Sequence, residues 1–186
     1  MHIRETELPG VKLIEPDVFG DDRGWFLENW RDERFVGSGI GPAFAQVNTS
    51  HSRFGVLRGL HYQWPEPQGK LVWVTSGRVF DVAVDIRPDS PKFGQWTSVE
   101  LSAENHRQLW IPEGFAHGFQ VLSEEATFSY LCTRPYRSDY DASVAWNDET
   151  VGVLWPHRPS SLSAKDEAAP RLEQIAKERL PRCESC

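Results

Sequence analysis

Three cysteines in 186 residues are too few, and odd in number, for a disulfide framework. Cys183 and Cys186 form one C-x-x-C at the end of the sequence. No second pair completes the four ligands that a structural zinc takes. No apolar run approaches the ~20 residues of a membrane span. The opening MHIRETELPG also lacks the apolar segment of a secretion signal. The expectation is a cytoplasmic protein that does not contact membranes. Basic blocks are absent, and the formal net charge is -7. That argues against a nucleic-acid surface, although a few placed arginines suffice for a nucleotide-sized anion. Neither repeats, low-complexity tracts nor a linker before residue 157 divide the chain. One domain over residues 1–186 is expected, large enough to bury a core.

Aromatic residues are plentiful, with eight tryptophans and ten phenylalanines. They fill sandwich cores and also stack on sugars and bases. Short strand-like runs dominate, at 10–15, 24–30, 44–50, 56–63, 70–75, 78–86, 96–101, 107–111, 117–122, 127–132 and 143–147. Proline and glycine turns separate them, and this punctuation predicts an all-β sandwich or barrel. The clearest run is VFDVAVDIR. Alternation places Phe80, Val82, Val84 and Ile86 on one face and Val79, Asp81, Ala83 and Asp85 on the other. Two acids on a strand face call for water, a ligand or a cation. Helix is sparse: a short turn at 30–35, and a terminal amphipathic helix at 170–180 from the spacing of Leu172, Ile175, Ala176 and Leu180.

Two segments, R-G-L-H-Y-Q at 58–63 and P-E-G-F-A-H-G at 112–118, each hold one histidine among strand-forming residues. Core histidines, a metal site and a base-catalysis site are the readings open. Cupin jelly rolls often bind metal through H-x-H, a glutamate and a histidine in P-x-G-x-x-H. His117 ends such a P-x-G-x-x-H, but His61 is followed by Tyr62 and Gln63, so the H-x-H half is broken. The cupin-like architecture is therefore expected, without the metal. Arg58 and His61 stand at odd spacing, which opposes them on a regular strand. Gly59 between them suits a bulge that turns both toward one cavity. Lys70 opens the next strand, as a surface residue or an oxyanion partner. Tyr130 lies in a further strand, where packing is the commoner role.

Seven segments resemble one family in order across about residues 1–167: D-D-R-G-W-F at 21–26, Q-V-N at 46–48, L-R-G-L-H-Y-Q at 57–63, G-K-L-V at 69–72, G-R-V-F-D-V-A-V-D-I-R at 77–87, I-P-E-G-F-A-H-G-F at 111–119 and L-S-A-K-D at 162–166. Together they resemble the dTDP-4-dehydrorhamnose 3,5-epimerases. The resemblance implies a jelly-roll homodimer with composite active sites and short peripheral helices, using no metal or organic cofactor. Residues 168–186 form a C-terminal extension to that core. The implied role is dTDP-rhamnose synthesis for lipopolysaccharide or O-antigen. By the same resemblance His61 is the base, Asp166 its orienting carboxylate, Lys70 the partner of the enolate oxygen and Tyr130 the acid. Asp81 would support Lys70 or His61. Arg58, His117 and Lys165 suit the pyrophosphate or nearby sugar oxygens, and Gln46 and Asn48 other polar groups. Tyr136 would line the sugar pocket. Arg23, Phe26 and Glu28 would reach the nucleoside in the neighbouring subunit's site.

Two positions depart from the family pattern. Trp73 stands where arginine is expected. Asp141 stands where glutamate is expected, keeping the charge of a substrate-binding position with a shorter reach. Rival functions are a mono-epimerase inverting C3 or C5 alone, a non-catalytic sugar-nucleotide binder, a related keto-isomerase, and a metal-dependent cupin oxygenase.

Overall fold

A computed structural model describes residues 1–41 and 43–183. The strands are β1 (His2–Glu5), β2 (Lys12–Glu15), β3 (Val18–Asp21), β4 (Gly24–Leu27), β5 (Gln46–Arg53), β6 (Leu57–Gln63), β7 (Lys70–Ser76), β8 (Arg78–Asp85), β9 (Trp96–Ser102), β10 (Gln108–Ile111), β11 (Phe115–Val121), β12 (Glu125–Cys132) and β13 (Asp141–Ser143). Two sheets face each other, in the orders β1-β2-β10-β7-β12-β5 and β13-β6-β11-β8-β9. Neighbouring strands are antiparallel. The result is a cupin-like jelly-roll sandwich. β3 and β4 pair only with each other, as a separate hairpin.

The alternation of β8 sorts its side chains as expected. Val79 and Ala83 join Val72, Leu109, Phe119 and Phe128 in one core cluster. Val82, Val84 and Ile86 join Leu60, Tyr62 and Val144 in another. The two acids are not solvated, because both are fully buried. Asp85 accepts from Arg87 Nη2 at 2.6 Å and from Ser90 Oγ at 2.7 Å. Asp81 is bonded to His117 at 2.9 Å. A buried carboxylate without such partners would be costly.

Residues 170–180 do not form the expected helix. Two 3-10 turns, Leu172–Gln174 and Lys177–Arg179, are joined by extended backbone at Ile175 and Ala176. An eleven-residue helix is marginal by itself, and here its polar groups bond elsewhere. Leu172 N–H donates to Asp148 Oδ2 at 2.6 Å, and the Glu178 carbonyl accepts from Trp64 Nε1 at 3.0 Å. Leu172 and Leu180 still pack into the second cluster, as their spacing suggested. Each contributes roughly 1.5–3 kcal/mol by burial. The short turn near residue 30 is the helix α1 (Asp32–Val36). The strand expected at 143–147 lies earlier, as β13. Neither β1 nor β3 carries a buried side chain, so no alternation of core residues announced them. Cys183 is disulfide-bonded. Cys186 of the C-x-x-C lies outside the described residues.

The register of β6 against β11 positions the site. His61 faces His117 and Arg58 faces Phe119, with an irregularity between. Three steps along β6 therefore match two along β11. Directly opposed residues share a sheet face, so the extra residue brings Arg58 and His61 to the same side, as the Gly59 bulge predicted. Gly59 has φ +144°, and a Cβ there would meet Gly118 Cα at 2.5 Å. No side chain fits that approach of two backbones. Gly59→Ala is expected to destabilise the fold by about 2–4 kcal/mol, read from the urea midpoint. A wild-type midpoint would show that the strands separate there without penalty.

Candidate active site

A cavity of about 280 Å³ opens between the sheets, lined by Gln46, Asn48, His61, Tyr62, Gln63, Gln68, Lys70, Tyr130, Cys132, Tyr136, Asp141 and Lys165. The pairings of β12 explain this company. Tyr130 stands opposite Asn48 on β5 and Val72 on β7, and Cys132 opposite Gln46 and Lys70. These two rows carry phenol, amides, thiol and ammonium on one face. The other sheet contributes His61.

His61 Nε2 lies 2.6 Å from Asp166 Oδ1. Asp166 belongs to the short helix α2 (Ala164–Glu167), and its backbone N–H donates to the capping Ser163 Oγ at 3.2 Å. The preceding segment is tied to the sheet through Ser160 N–H to the Gly55 carbonyl, 2.9 Å, and Leu57 N–H to the Ser161 carbonyl, 3.3 Å. An ionised Asp166 accepts from Nε2–H, which leaves Nδ1 as the basic nitrogen.

Burial pushes the His61 imidazole below its ordinary value; the Asp166 hydrogen bond and charge oppose this, while Lys165 and Lys70 depress it further. Burial alone would raise the Asp166 carboxyl, but the hydrogen bond and charge of His61, with Ser163 and Lys165, hold it below the usual range. Burial also lowers the Lys70 ammonium and raises the Tyr130 phenol. The pocket thus holds a neutral base at neutral pH, an un-ionised phenol and a buried lysine, with an orienting carboxylate behind the base.

Around them runs a polar network. Gln46 Nε2 donates to Asn48 Oδ1 at 2.8 Å, and Tyr136 N–H donates to Gln46 Oε1 at 2.7 Å. Lys165 Nζ donates to Asp141 Oδ2 at 2.6 Å, and Tyr136 OH lies 3.3 Å from the same oxygen. Asp141, despite its shorter reach, is the meeting point of that group.

Some expected site residues lie elsewhere. Asp81 bonds His117, not Lys70 or His61, although its charge favours protonated Lys70. Its hydrogen bond thus goes to the buried imidazole on the neighbouring strand, and its support of Lys70 is through charge alone. His117 is itself buried, stacked on Phe128 at 5.9 Å between ring centres, and does not line the cavity. Arg58 donates to Ser52 Oγ at 3.0 Å, and its charge acts on Tyr130. Arg23 pairs with Asp21, and Glu28 accepts from Arg34 at 3.1 Å. With Phe26, they stay outside the cavity of their own chain. Cys132 and Gln63 were missed, though each stands two residues from a recognised site residue on the same strand, Tyr130 and His61. Trp73 places its indole Nε1 in a buried position without a hydrogen-bond partner, away from the cavity lining.

A base and an acid on opposed sheets, lining one cavity with a lysine, can transfer protons to and from carbon. The fold and site define an acid–base isomerase on a jelly roll. The chain belongs to the dTDP-4-dehydrorhamnose 3,5-epimerase family, which matches residues 5–174. It is 53% identical over 179 residues to the dTDP-4-dehydrorhamnose 3,5-epimerase of Salmonella typhimurium, covering 94% of this chain and 97% of the relative. A crystal structure of the Legionella pneumophila dTDP-6-deoxy-D-glucose-3,5-epimerase in complex with dTDP-4-keto-L-rhamnose superposes with a TM-score of 0.96, at 49% identity and 99% coverage of both chains. A 3'-monoepimerase from Streptomyces bikiniensis, in complex with dTDP-quinovose, has a TM-score of 0.85 at 36% identity, covering 90% of this chain and 86% of that one.

The imidazole environment has a direct test. An NMR titration of His61 should give a midpoint below the ordinary ~6.5. Asp166→Asn should lower it further, because the mutation removes an interaction that favours the cation. A midpoint above 7 in the wild type would contradict the assigned surroundings.

Proposed function

We infer that the protein converts dTDP-4-dehydro-6-deoxy-D-glucose to dTDP-4-dehydro-L-rhamnose in dTDP-L-rhamnose biosynthesis. The observation that carries the chemistry is the His61–Asp166 pair in one cavity with Tyr130 and Lys70. The C3 and C5 hydrogens of a 4-keto sugar both lie next to the ketone, which acidifies those carbons. His61 Nδ1 removes a proton and the charge moves to O4 as an enolate. Asp166 stabilises the imidazolium that forms. Lys70 faces the enolate oxygen, where an ammonium in a water-poor site stabilises developing charge. Tyr130 returns a proton from the opposite face, and its raised phenol pKa keeps that proton available. Lys165, Asp141, Tyr136, Gln46 and Asn48 hold the sugar and pyrophosphate in this reading. Arg58 and His117 contribute at the mouth and behind the wall.

The reading includes a homodimer with composite sites. Phe19, Trp25 and Phe26 on the β3–β4 hairpin are 62%, 61% and 68% exposed. That apolar area on a hairpin outside both sheets supports insertion into a second copy of this chain. Arg23, Phe26 and Glu28 would then serve the partner's cavity. A heterodimer of Arg23→Ala and His61→Ala chains should regain activity, because one of its two sites carries neither defect. No recovery in verified heterodimers would place the whole site within one chain.

Incubation with the 4-keto substrate in deuterated water tests the reaction. Deuterium should enter both C3 and C5, with the L-configured product identified by NMR. Inversion at one carbon alone would identify a mono-epimerase, and no exchange would remove the catalytic reading. His61→Ala should lower turnover by about 10²- to 10⁴-fold while thymidine diphosphate still binds. Tyr130→Phe should exchange substrate hydrogen for deuterium with little inversion, since the base can return its proton to the original face. Wild-type inversion by Tyr130→Phe would leave Tyr130 as a packing residue.

A further inference from the structure

The functional reading uses Lys70 but leaves unexplained what holds its ammonium. Among the described residues the Lys70 side chain makes no hydrogen bond or ion pair, although its backbone is held in the β7 ladders. Lysine carries three donors on a flexible stem. Such a group loses effectiveness when the stem wanders, because misplacement by a single ångström is expensive in catalysis. The charged residues that bear on it are on several elements. Asp141 on β13 is committed to Lys165 and Tyr136. Asp81 on β8 is committed to His117. Lys165 on α2 repels it. His61 on β6 is bonded to Asp166. On β12, Tyr130 stands opposite Val72, one row from Lys70.

Cys132 is the neighbour on the adjoining strand that has no charged partner of its own apart from Lys70. It stands directly opposite Lys70 in the β12–β7 register, lines the same cavity and is a free, buried cysteine. Asn48 Nδ2 lies 3.8 Å from its sulfur, so the sulfur is already oriented as an acceptor. We propose that Cys132 is a positioning residue for Lys70, its sulfur restraining the ammonium without capturing it. This rests on the epimerase reading and adds a residue to it.

The chemistry explains why a thiol suits the place. A carboxylate opposite Lys70 would form a buried ion pair and consume the donors needed by the enolate oxygen. An alkyl group would leave no polar atom directly opposite Lys70 on β12. A sulfur is a weak, polarisable acceptor. It leaves the stronger hydrogen bond to be made when charge develops on the substrate, which is the condition for stabilising the transition state in preference to the ground state. The charge relations agree: Cys132 is the first of the neighbours that favour protonated Lys70, after burial has lowered it.

The test compares Cys132→Val, Cys132→Ala and Cys132→Ser with the wild type, using dTDP-4-dehydro-6-deoxy-D-glucose across pH. Both apolar variants should lose about 10- to 100-fold in kcat with KM little changed. Their basic limb should move to lower pH. Lys70 would lose a neighbour that favours its protonated form, and Tyr130, whose phenol the same sulfur raises, would shift in the same direction. Cys132→Ser should recover most of kcat, because a hydroxyl also accepts from an ammonium. Wild-type kcat in a folded apolar variant overturns the proposal. So does a lower kcat with an unmoved basic limb and no rescue by serine, the pattern of a merely structural residue. Absence of epimerisation by the wild type would instead overturn the functional reading.

Discussion

The hydrogen bond between His61 and Asp166 is the constraint on which the rest of the site depends. Imidazole in a cavity between two sheets loses basicity through desolvation, and its ring must present one particular nitrogen to the substrate. A single carboxylate addresses both problems. It favours the protonated ring and, by accepting from Nε2–H, assigns the lone pair to Nδ1. The partners are 105 residues apart, so the fold must bring a late loop onto a strand formed much earlier. Ser163 caps the short helix holding Asp166, and backbone bonds from Gly55 and Leu57 fasten the preceding segment. On the other side of the ring, Gly59 and Gly118 approach so closely that β6 gains its extra residue. Without that shift Arg58 and His61 would face opposite sides of the sheet.

Charge is managed by pairing in the walls and by incomplete pairing in the cavity. On β8, Asp85 is saturated by Arg87 and Ser90. Asp81 bonds His117 through one oxygen, while its Oδ1 remains buried and unpartnered. Lys165 and Asp141 neutralise each other at the rim. Lys70 alone among the cavity's cations has no such partner among the described residues. Lys165 and Lys70 both still depress the His61 imidazole, and Lys70 is left without a competing ion pair.

Much of this was legible in residue order. The alternation of VFDVAVDIR gave both faces of β8, and Pro–Gly punctuation marked most strands. The broken H-x-H at His61 with P-E-G-F-A-H suggested the jelly roll, while the match across seven segments supplied His61, Asp166, Lys70 and Tyr130. The helical spacing of Leu172, Ile175 and Leu180 reported burial correctly but not conformation, because Asp148 and Trp64 bind the backbone from outside the segment. For Asp81, residue order left the hydrogen-bond partner open among several imidazoles and ammonium groups; the β8–β11 register selects His117, while the carboxylate's charge still favours protonated Lys70. Arg23, Phe26 and Glu28, expected in the neighbouring subunit's site, lie outside the cavity of their own chain.

The late position of Asp166 also orders the birth of the site. A chain emerging from the ribosome presents β1 through β13 by residue 143, enough to pair both sheets. The segment that docks beside Gly55 and Leu57 follows, and α2 arrives only at residues 164–167. The barrel can therefore close around an imidazole whose orienting carboxylate is still to be synthesised. The carboxylate that completes the base is thus carried by a four-residue helix that follows every described strand and precedes the segment that lays Leu172 and Leu180 into the second core cluster.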